Sequence, residues 1–407
     1  MAIDFTLSPD VEDVRMRVRR FMDEEVRPTE EKLRQNESDR NAYVSAIVGL
    51  RQRAQDLGLW NPHLPSEWRG MGLGPVAMAF VSAEAGRTGM GPYIINAQAP
   101  DDGNMHTLLH AANPEQQEKY LRPLAEGRSR SCFAMTEPEV SGSAPTLIQT
   151  RAEKDGDDWV INGHKWFISG AKGARFAILI ACTDPDADPP QARNSAFLVD
   201  LPQPGWEIVR DIDTMAGMGN HCEIRITNLR VPNSAMLGER GHGHLLGQYR
   251  LGPARLAHCM RWIGNAEVAL EMMVDRALNR YTHGSLLADK QAIQWMISES
   301  VLEMYAAKLM VMHAAYLIEN GMPFKHEVAM AKYHVANTLW RTVDRAIQVH
   351  GALGYSTDTP LERLLRNARS ARLVDGADEV HLQTIARNTI GWYKEEGNTR
   401  KATGDLL

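Results

Sequence analysis

Trp159-Val-Ile-Asn-Gly-His-Lys-Trp-Phe-Ile-Ser169, Ala174-Arg-Phe-Ala-Ile-Leu-Ile-Ala-Cys182 and Cys222-Glu-Ile-Arg-Ile-Thr-Asn-Leu-Arg-Val-Pro232 decide the fold. They are rich in β-branched and aromatic residues; the turn-forming run Asp155-Gly-Asp-Asp158 precedes the first and Thr183-Asp-Pro-Asp-Ala-Asp-Pro-Pro190 follows the second. That texture predicts strands from about residue 131 to 240. The Ala174–Cys182 run, purely apolar from Phe176, reads as a buried strand, and Asp155-Gly-Asp-Asp158 before Trp159 reads as a hairpin turn.

On both sides the texture is helical. Val11-Glu-Asp-Val-Arg-Met-Arg-Val-Arg-Arg-Phe-Met22 spaces its apolar residues for one helix face, and Pro28 is expected to end that helix. Further helices are expected over 43–60, 74–89 and 113–127, with Pro114 in a first turn. After Gly243 the pattern predicts long helices at 253–280, 289–320 and 325–350, and a last one at 378–395. Long helices with short connections form antiparallel bundles. Helices, then strands, then helices is not an alternating βαβ order, which argues against a Rossmann domain. The expected domains are 1–130 (helical), 131–240 (β) and 241–407 (helical bundle), an α+β fold.

At 407 residues, 43% hydrophobic and 24% charged, the chain is long enough for a large core without staples. A net charge of −6 argues against a nucleic-acid binder. Cys132, Cys182, Cys222 and Cys259 stand far apart, which disfavours disulfides and structural zinc. His106, His110, His258, His350 and His381 have no shared metal spacing and read as wall or surface residues, so no metal is expected. Purely apolar runs stay far short of the roughly 20 residues of a membrane span. The acidic start is unlike a signal peptide, and Gly404-Asp-Leu-Leu407 is unlike a peroxisomal signal.

Phe133-Ala-Met-Thr-Glu-Pro138, followed by Ser141-Gly-Ser143, leads toward Asn162-Gly-His-Lys-Trp-Phe-Ile-Ser169. The hydroxyls of Thr136 and Ser169, with Trp166 or Phe167 beside them, suit a wall for a flat heterocycle; a polar loop and hairpin is the plainer alternative. These stretches resemble the acyl-CoA dehydrogenase family. So do Met218-Gly-Asn-His221, Asn228-Leu-Arg-Val-Pro232, Arg280-Tyr-Thr-His-Gly-Ser285, Asp289-Lys-Gln-Ala-Ile293, Gln348-Val-His-Gly-Ala-Leu-Gly-Tyr355 and Leu365-Arg-Asn-Ala-Arg369, in order over roughly residues 100–390.

The resemblance implies FAD between the β domain and the bundle, in a homodimer or homotetramer. It implies flavin contacts from Phe133, Met135, Thr136, Phe167 and Ser169 in one subunit. From a neighbouring subunit it implies Arg280, Thr282, His283, Gln348 and Gly351. Arg280 would bind the pyrophosphate through charge-assisted bonds. Ser143 and Arg255 match positions that contact CoA, although Ala144 replaces a family Asp and His283 a usual Phe. The family's catalytic carboxylate falls on Asp375, within Leu373-Val-Asp-Gly-Ala-Asp-Glu-Val-His381. The alternative position before Arg255 is Ala254, which cannot act as a base. With Ala99–Met105 and Arg255–Arg261, this stretch is most similar to the branch containing the eukaryotic family members ten and eleven.

The implied reaction converts an acyl-CoA thioester to a trans-2-enoyl-CoA. Asp375 takes the α-proton, hydride passes to flavin N5, and an electron-transferring flavoprotein receives the electrons. The alternatives are a flavin oxidase of the same fold, of nitroalkane oxidase or acyl-CoA oxidase type, and a non-catalytic acyl-CoA-binding member. The expected compartment is the cytoplasm for a bacterial protein, and the mitochondrion or peroxisome for a eukaryotic one.

Overall fold

A computed structural model describes residues 6–35 and 39–404. The first five residues of the acidic start and Asp405–Leu407 lie outside the described residues, as do the side chains of Gln35 and Met218. The chain divides into two compact units. One comprises Met1–Ser66, Gly70–Ala97 and Arg255–Leu407; the other comprises Glu67–Arg69 and Gln98–Ala254. The early helices share a compact unit with Arg255–Leu407.

The second unit holds an eight-stranded sheet in the order β6-β7-β3-β2-β4-β5-β8, with β1 added alongside β4. The strands are β1 Ser131–Ala134, β2 Arg151–Asp155, β3 Asp158–Ser169, β4 Phe176–Cys182, β5 Asn194–Asp200, β6 Trp206–Thr214, β7 Gly217–Pro232 and β8 Met236–Leu237. Every residue of β4 is buried, as its apolar run predicts. β2 and β3 close the expected hairpin with Asp155 opposite Asp158, and Gly156 supplies a positive φ of 62° at the turn. The core centres on Trp159, Phe197, Ile161, Ile224 and Leu229, where Trp159 and Phe197 meet edge to face at 5.5 Å. The helix Asp101–Ala111 is pinned to β1. The Asp101 carboxylate accepts from the Ser131 amide at 2.8 Å and its hydroxyl at 2.6 Å, and Arg130 Nε adds a bond at 2.7 Å.

The other unit is helical. Its early helices, Pro9–Phe21 and Arg40–Asp56, bury Val14, Val18, Phe21, Ile47 and Leu50 in one cluster. Pro28 does not end the first helix. The chain widens into a π turn at Met22–Val26 and continues as Arg27–Gln35. A wider turn absorbs the amide and ring space that proline takes from an α-helix. Pro123 repeats the device in the other unit, just after the π turn Gln117–Leu121.

The C-terminal helices are Gly243–Asn279, Gln291–Glu319, Lys325–His350 and Asp378–Glu396, with Leu361–Ala371 between the last two. The first begins ten residues before the expected Pro253, which sits inside it. Gly252 precedes that proline and has no Cβ to meet the ring. Gln291–Glu319 has a mean hydropathy of 1.3 over its most apolar window, long and apolar enough to cross a membrane by composition. One side of it, at Met304, Ala307, Val311 and Ala314, lies in the helical core.

Candidate active site

Asp375 lies in the turn between Leu361–Ala371 and Asp378–Glu396, at a positive φ of 53°, with Gly376 following at 100°. Such a pair of left-handed residues persists where the surroundings over-determine it, and here three elements hold the turn. Arg255 Nε, from the first long helix, donates to the Asp375 carbonyl at 2.7 Å. Lys332 Nζ, from the third, donates to the Gly376 carbonyl at 2.7 Å. Arg372 Nε and Asn337 Nδ2 donate to the Asp378 carboxylate at 2.7 and 3.1 Å, fixing where the last helix starts. Asp378 and Glu379 occupy that helix's first turn, where acidic side chains suit the dipole.

The Asp375 carboxylate meets His258 Nε2 at 3.0 Å and keeps about a fifth of its side-chain surface exposed. His381 is buried against the same turn: a Cβ on Gly376 would lie 2.9 Å from its Nε2. Burial pushes the His381 imidazole down to about 4, with Lys332 and Arg255 adding to the effect. Burial also lowers Lys332 and Arg255 from their ordinary values, and it pushes the neighbouring Cys259 thiol up to about 12. A cationic, largely buried shell around one partly exposed carboxylate suits a base that must work away from bulk water.

The resemblance puts Arg255 on CoA; the structure places its Nε on the backbone of the turn that carries Asp375. His258 and His381, read from sequence as wall or surface residues, both belong to the shell of Asp375. Their only sequence signal is that they flank Asp375's own segment and the Arg255 segment.

The β unit carries a second constellation. Between Lys165 and Ile168 the β3–β7 register slips by one residue. Phe167 takes a positive φ of 52° in this bulge, and its ring stands 45% exposed. Trp166 packs edge-on to Phe167 at 5.0 Å. Thr136 Oγ1 donates to the Trp166 carbonyl at 2.6 Å, and the Trp166 amide returns a bond to the Thr136 carbonyl at 3.1 Å. Ser169 Oγ lies 2.9 Å from His221 Nδ1, and burial lowers the His221 pKa.

Beneath this surface the fully buried Lys165 bonds the Met135 carbonyl at 2.9 Å and Glu137 at 2.8 Å. Burial would raise the Glu137 carboxyl, but Lys165 and donors from Thr150 and Gln149 hold it below its ordinary value. Burial lowers Lys165 to about 8 against the pull of Glu137. Sequence reading passed over this pair, although it sits within the two quoted motifs. Phe133 is partly buried, with the Arg250 guanidinium 4.4 Å over its ring.

The remaining expected residues stand on other elements. Thr282 and His283 lie on a tight hairpin, Thr282 opposite Ser285, with His283 and Gly284 both at positive φ. Arg280 just before it is exposed. Gln348 and Gly351, at the end of Lys325–His350, are exposed too, and Gly351 takes a φ of 66° that favours glycine. Ser143 is exposed and shares a bond with Ser141 at 2.7 Å. Among the described residues no group of three or more His, Cys, Asp or Glu could hold a metal ion, and the cysteines are buried and free.

Models of the acyl-CoA dehydrogenase N-terminal, middle and C-terminal domains match residues 8–128, 132–229 and 241–390. The chain belongs to the acyl-CoA dehydrogenase family. It is 40% identical to the probable acyl-CoA dehydrogenase FadE2 of Mycobacterium tuberculosis, over 96% of this chain and 98% of that protein. It is 36% identical to acyl-CoA dehydrogenase family member 11 of Gallus gallus, over 92% of this chain and 50% of that protein. The chain thus spans about half the length of that animal relative, and the likeness agrees with the branch its motifs resemble. A solved structure from Mycobacterium abscessus, assigned as an acyl-CoA dehydrogenase, matches with a TM-score of 0.90 at 35% identity, covering 96% of this chain and all of that one.

Proposed function

We propose that this chain is an FAD-dependent acyl-CoA dehydrogenase that converts an acyl-CoA thioester to its trans-2-enoyl product, with Asp375 as the base. The observation that carries the reading is the clamped turn at Asp375: a carboxylate held at a positive φ of 53° with its carbonyl and the next one tied to two separate helices. Removal of a proton next to a thioester needs a carboxylate in a fixed place, because proton transfer is efficient only within hydrogen-bond reach. Asp is one methylene shorter than Glu, so its backbone must be brought closer, and the Arg255 and Lys332 bonds fix that backbone.

The residues of the β unit suit a flavin. The exposed face of Phe167 offers a flat apolar wall, and Thr136 and Ser169 offer hydroxyls beside it. The bulge and the Lys165–Glu137 pair hold that wall in place. Arg280, exposed beside its hairpin, suits a pyrophosphate. When bound, FAD supplies the acceptor for the hydride that leaves the β-carbon. Asp375 then keeps the α-proton on its carboxylate, while Arg255 and Lys332 hold the backbone of its turn and His258 holds the carboxylate.

The reading extends to a homodimer or homotetramer. The helix Gln291–Glu319 exposes Trp295, Leu302, Tyr305, Leu309 and Tyr316, a stripe at heptad-like spacing that a second copy would cover. It also extends to an electron-transferring flavoprotein as the electron acceptor.

An anaerobic visible titration with a panel of acyl-CoAs tests the reading, run beside Asp375→Asn. The wild type bleaches with one thioester class, while the variant binds flavin and is slowed about 100- to 10,000-fold. Bleaching at an equal rate in the variant would remove Asp375 from the role. Hydrogen peroxide release in air, with no transfer to an electron-transferring flavoprotein, would make the protein an oxidase. A protein that takes up no FAD would be a binding member only.

A further inference from the structure

We propose that His258 is a positioning residue for the reaction: in its neutral Nε2–H form, set by Arg261, it donates a hydrogen bond that holds the Asp375 carboxylate without neutralising it. The proposal rests on Asp375 being the base.

Arg261 lies 3.2 Å from His258 Nδ1 through one terminal nitrogen. A guanidinium only donates, so Nδ1 must carry the lone pair, and the ring proton falls on Nε2. Nε2 is the atom 3.0 Å from Asp375 Oδ2. Arg261 is itself fixed, since it is buried and its other terminal nitrogen donates to the Ala97 carbonyl at 3.0 Å. The His258 ring stacks on Trp262, with centroids 5.3 Å apart and an angle of 23° between planes. It is therefore held on three sides, by Trp262, Arg261 and Asp375.

The groups gathered at Asp375 come from every neighbouring helix. Arg255, His258 and Cys259 come from Gly243–Asn279, Lys332 from Lys325–His350, and Asp378 and His381 from the last helix. Arg255 and Lys332 donate to backbone carbonyls of the turn, so they fix the backbone. His258 reaches the carboxylate itself. A neutral donor there favours the ionised carboxylate. A cation in its place would make a full ion pair and compete with the incoming proton.

The test is the rate of anaerobic flavin reduction against pH, from about 5.5 to 9. It uses the best substrate among butyryl-, octanoyl- and palmitoyl-CoA, in wild type, His258→Leu, His258→Gln and Asp375→Asn at matched flavin content. Leu removes the donor; Gln restores an N–H at nearly the same reach. In His258→Leu we expect the maximal rate to fall roughly tenfold, the size of one hydrogen bond to a charged group. The acid limb moves to higher pH and KM changes little. His258→Gln recovers most of the rate and returns the limb.

In 15N-histidine spectra, the ring signal absent from His258→Gln must show the Nε2-protonated neutral form near pH 7. An Nδ1-protonated ring overturns the proposal. So does a Leu variant whose acid limb stays in place, or a Gln variant no better than Leu, while Asp375→Asn is inactive. If Asp375→Asn reduces flavin like wild type, or no thioester reduces it, the base reading itself falls and the proposal with it.

Discussion

Acidifying the protein should weaken it through His381, by an amount the structure sets. His381 is 3% exposed. Burial, Lys332 and Arg255 together lower its imidazole to about 4, against the opposing pull of the Gly376 and Asp375 backbone. In the unfolded chain the same group titrates near 6.5. The folded state thus prefers the neutral ring. Its contribution is fully present above pH 6.5 and is lost as pH falls from 6.5 toward 4. The gap amounts to roughly 3 kcal/mol at about 1.4 kcal/mol per pH unit, and about 2 kcal/mol of it is gone by pH 5. His381→Phe keeps an aromatic ring of similar size and removes the titration. Urea unfolding of both proteins, followed by circular dichroism between pH 7.5 and 5, isolates the effect because the other groups cancel. The variant should gain about 2 kcal/mol on the wild type over that range. The turn carrying Asp375 should also inactivate at higher pH in the wild type than in the variant. Parallel stability curves for the two proteins would refute the reasoning.

The remaining predictions concern the turn and the β unit. Gly376→Ala places a Cβ 2.9 Å from His381 Nε2 at a φ of 100°. The left-handed backbone alone should cost about 1–2 kcal/mol in a melting experiment, with flavin retained and flavin reduction slowed at least tenfold. Lys165→Met strands the Glu137 carboxylate in the core and should destabilise the protein by about 3–5 kcal/mol in urea; simultaneous Glu137→Gln should recover part of that loss. Phe167→Ala removes an exposed ring, so stability should change by less than about 0.5 kcal/mol, while FAD affinity, read from the protein-bound visible spectrum, falls clearly.

Much of the fold is legible locally. The strand run from 131 to 240 follows from β-branched and aromatic residues between Gly, Asp and Pro turns. The long helices follow from their apolar stripes, and the last begins at Asp378 as expected. Asp375 is reachable because its neighbours resemble a known motif. Misread points share a cause. Pro28 reads locally as a helix stop and Pro253 as a helix start, yet a π turn absorbs the first and Gly252 clears space before the second. The Lys165–Glu137 pair escapes notice because its residues stand 28 positions apart and meet only in the folded β unit.

The order of helices and strands, the family and the position that matches its catalytic carboxylate are all written locally, because periodicity and short motifs need only neighbouring positions. What surrounds Asp375 is set only when the helices pack. Arg255 reaches Asp375 across 120 positions, and His258 and Lys332 arrive on two different helices. Contacts at such separations depend on how helices pack, and no local pattern encodes which side chain will then face which carboxylate.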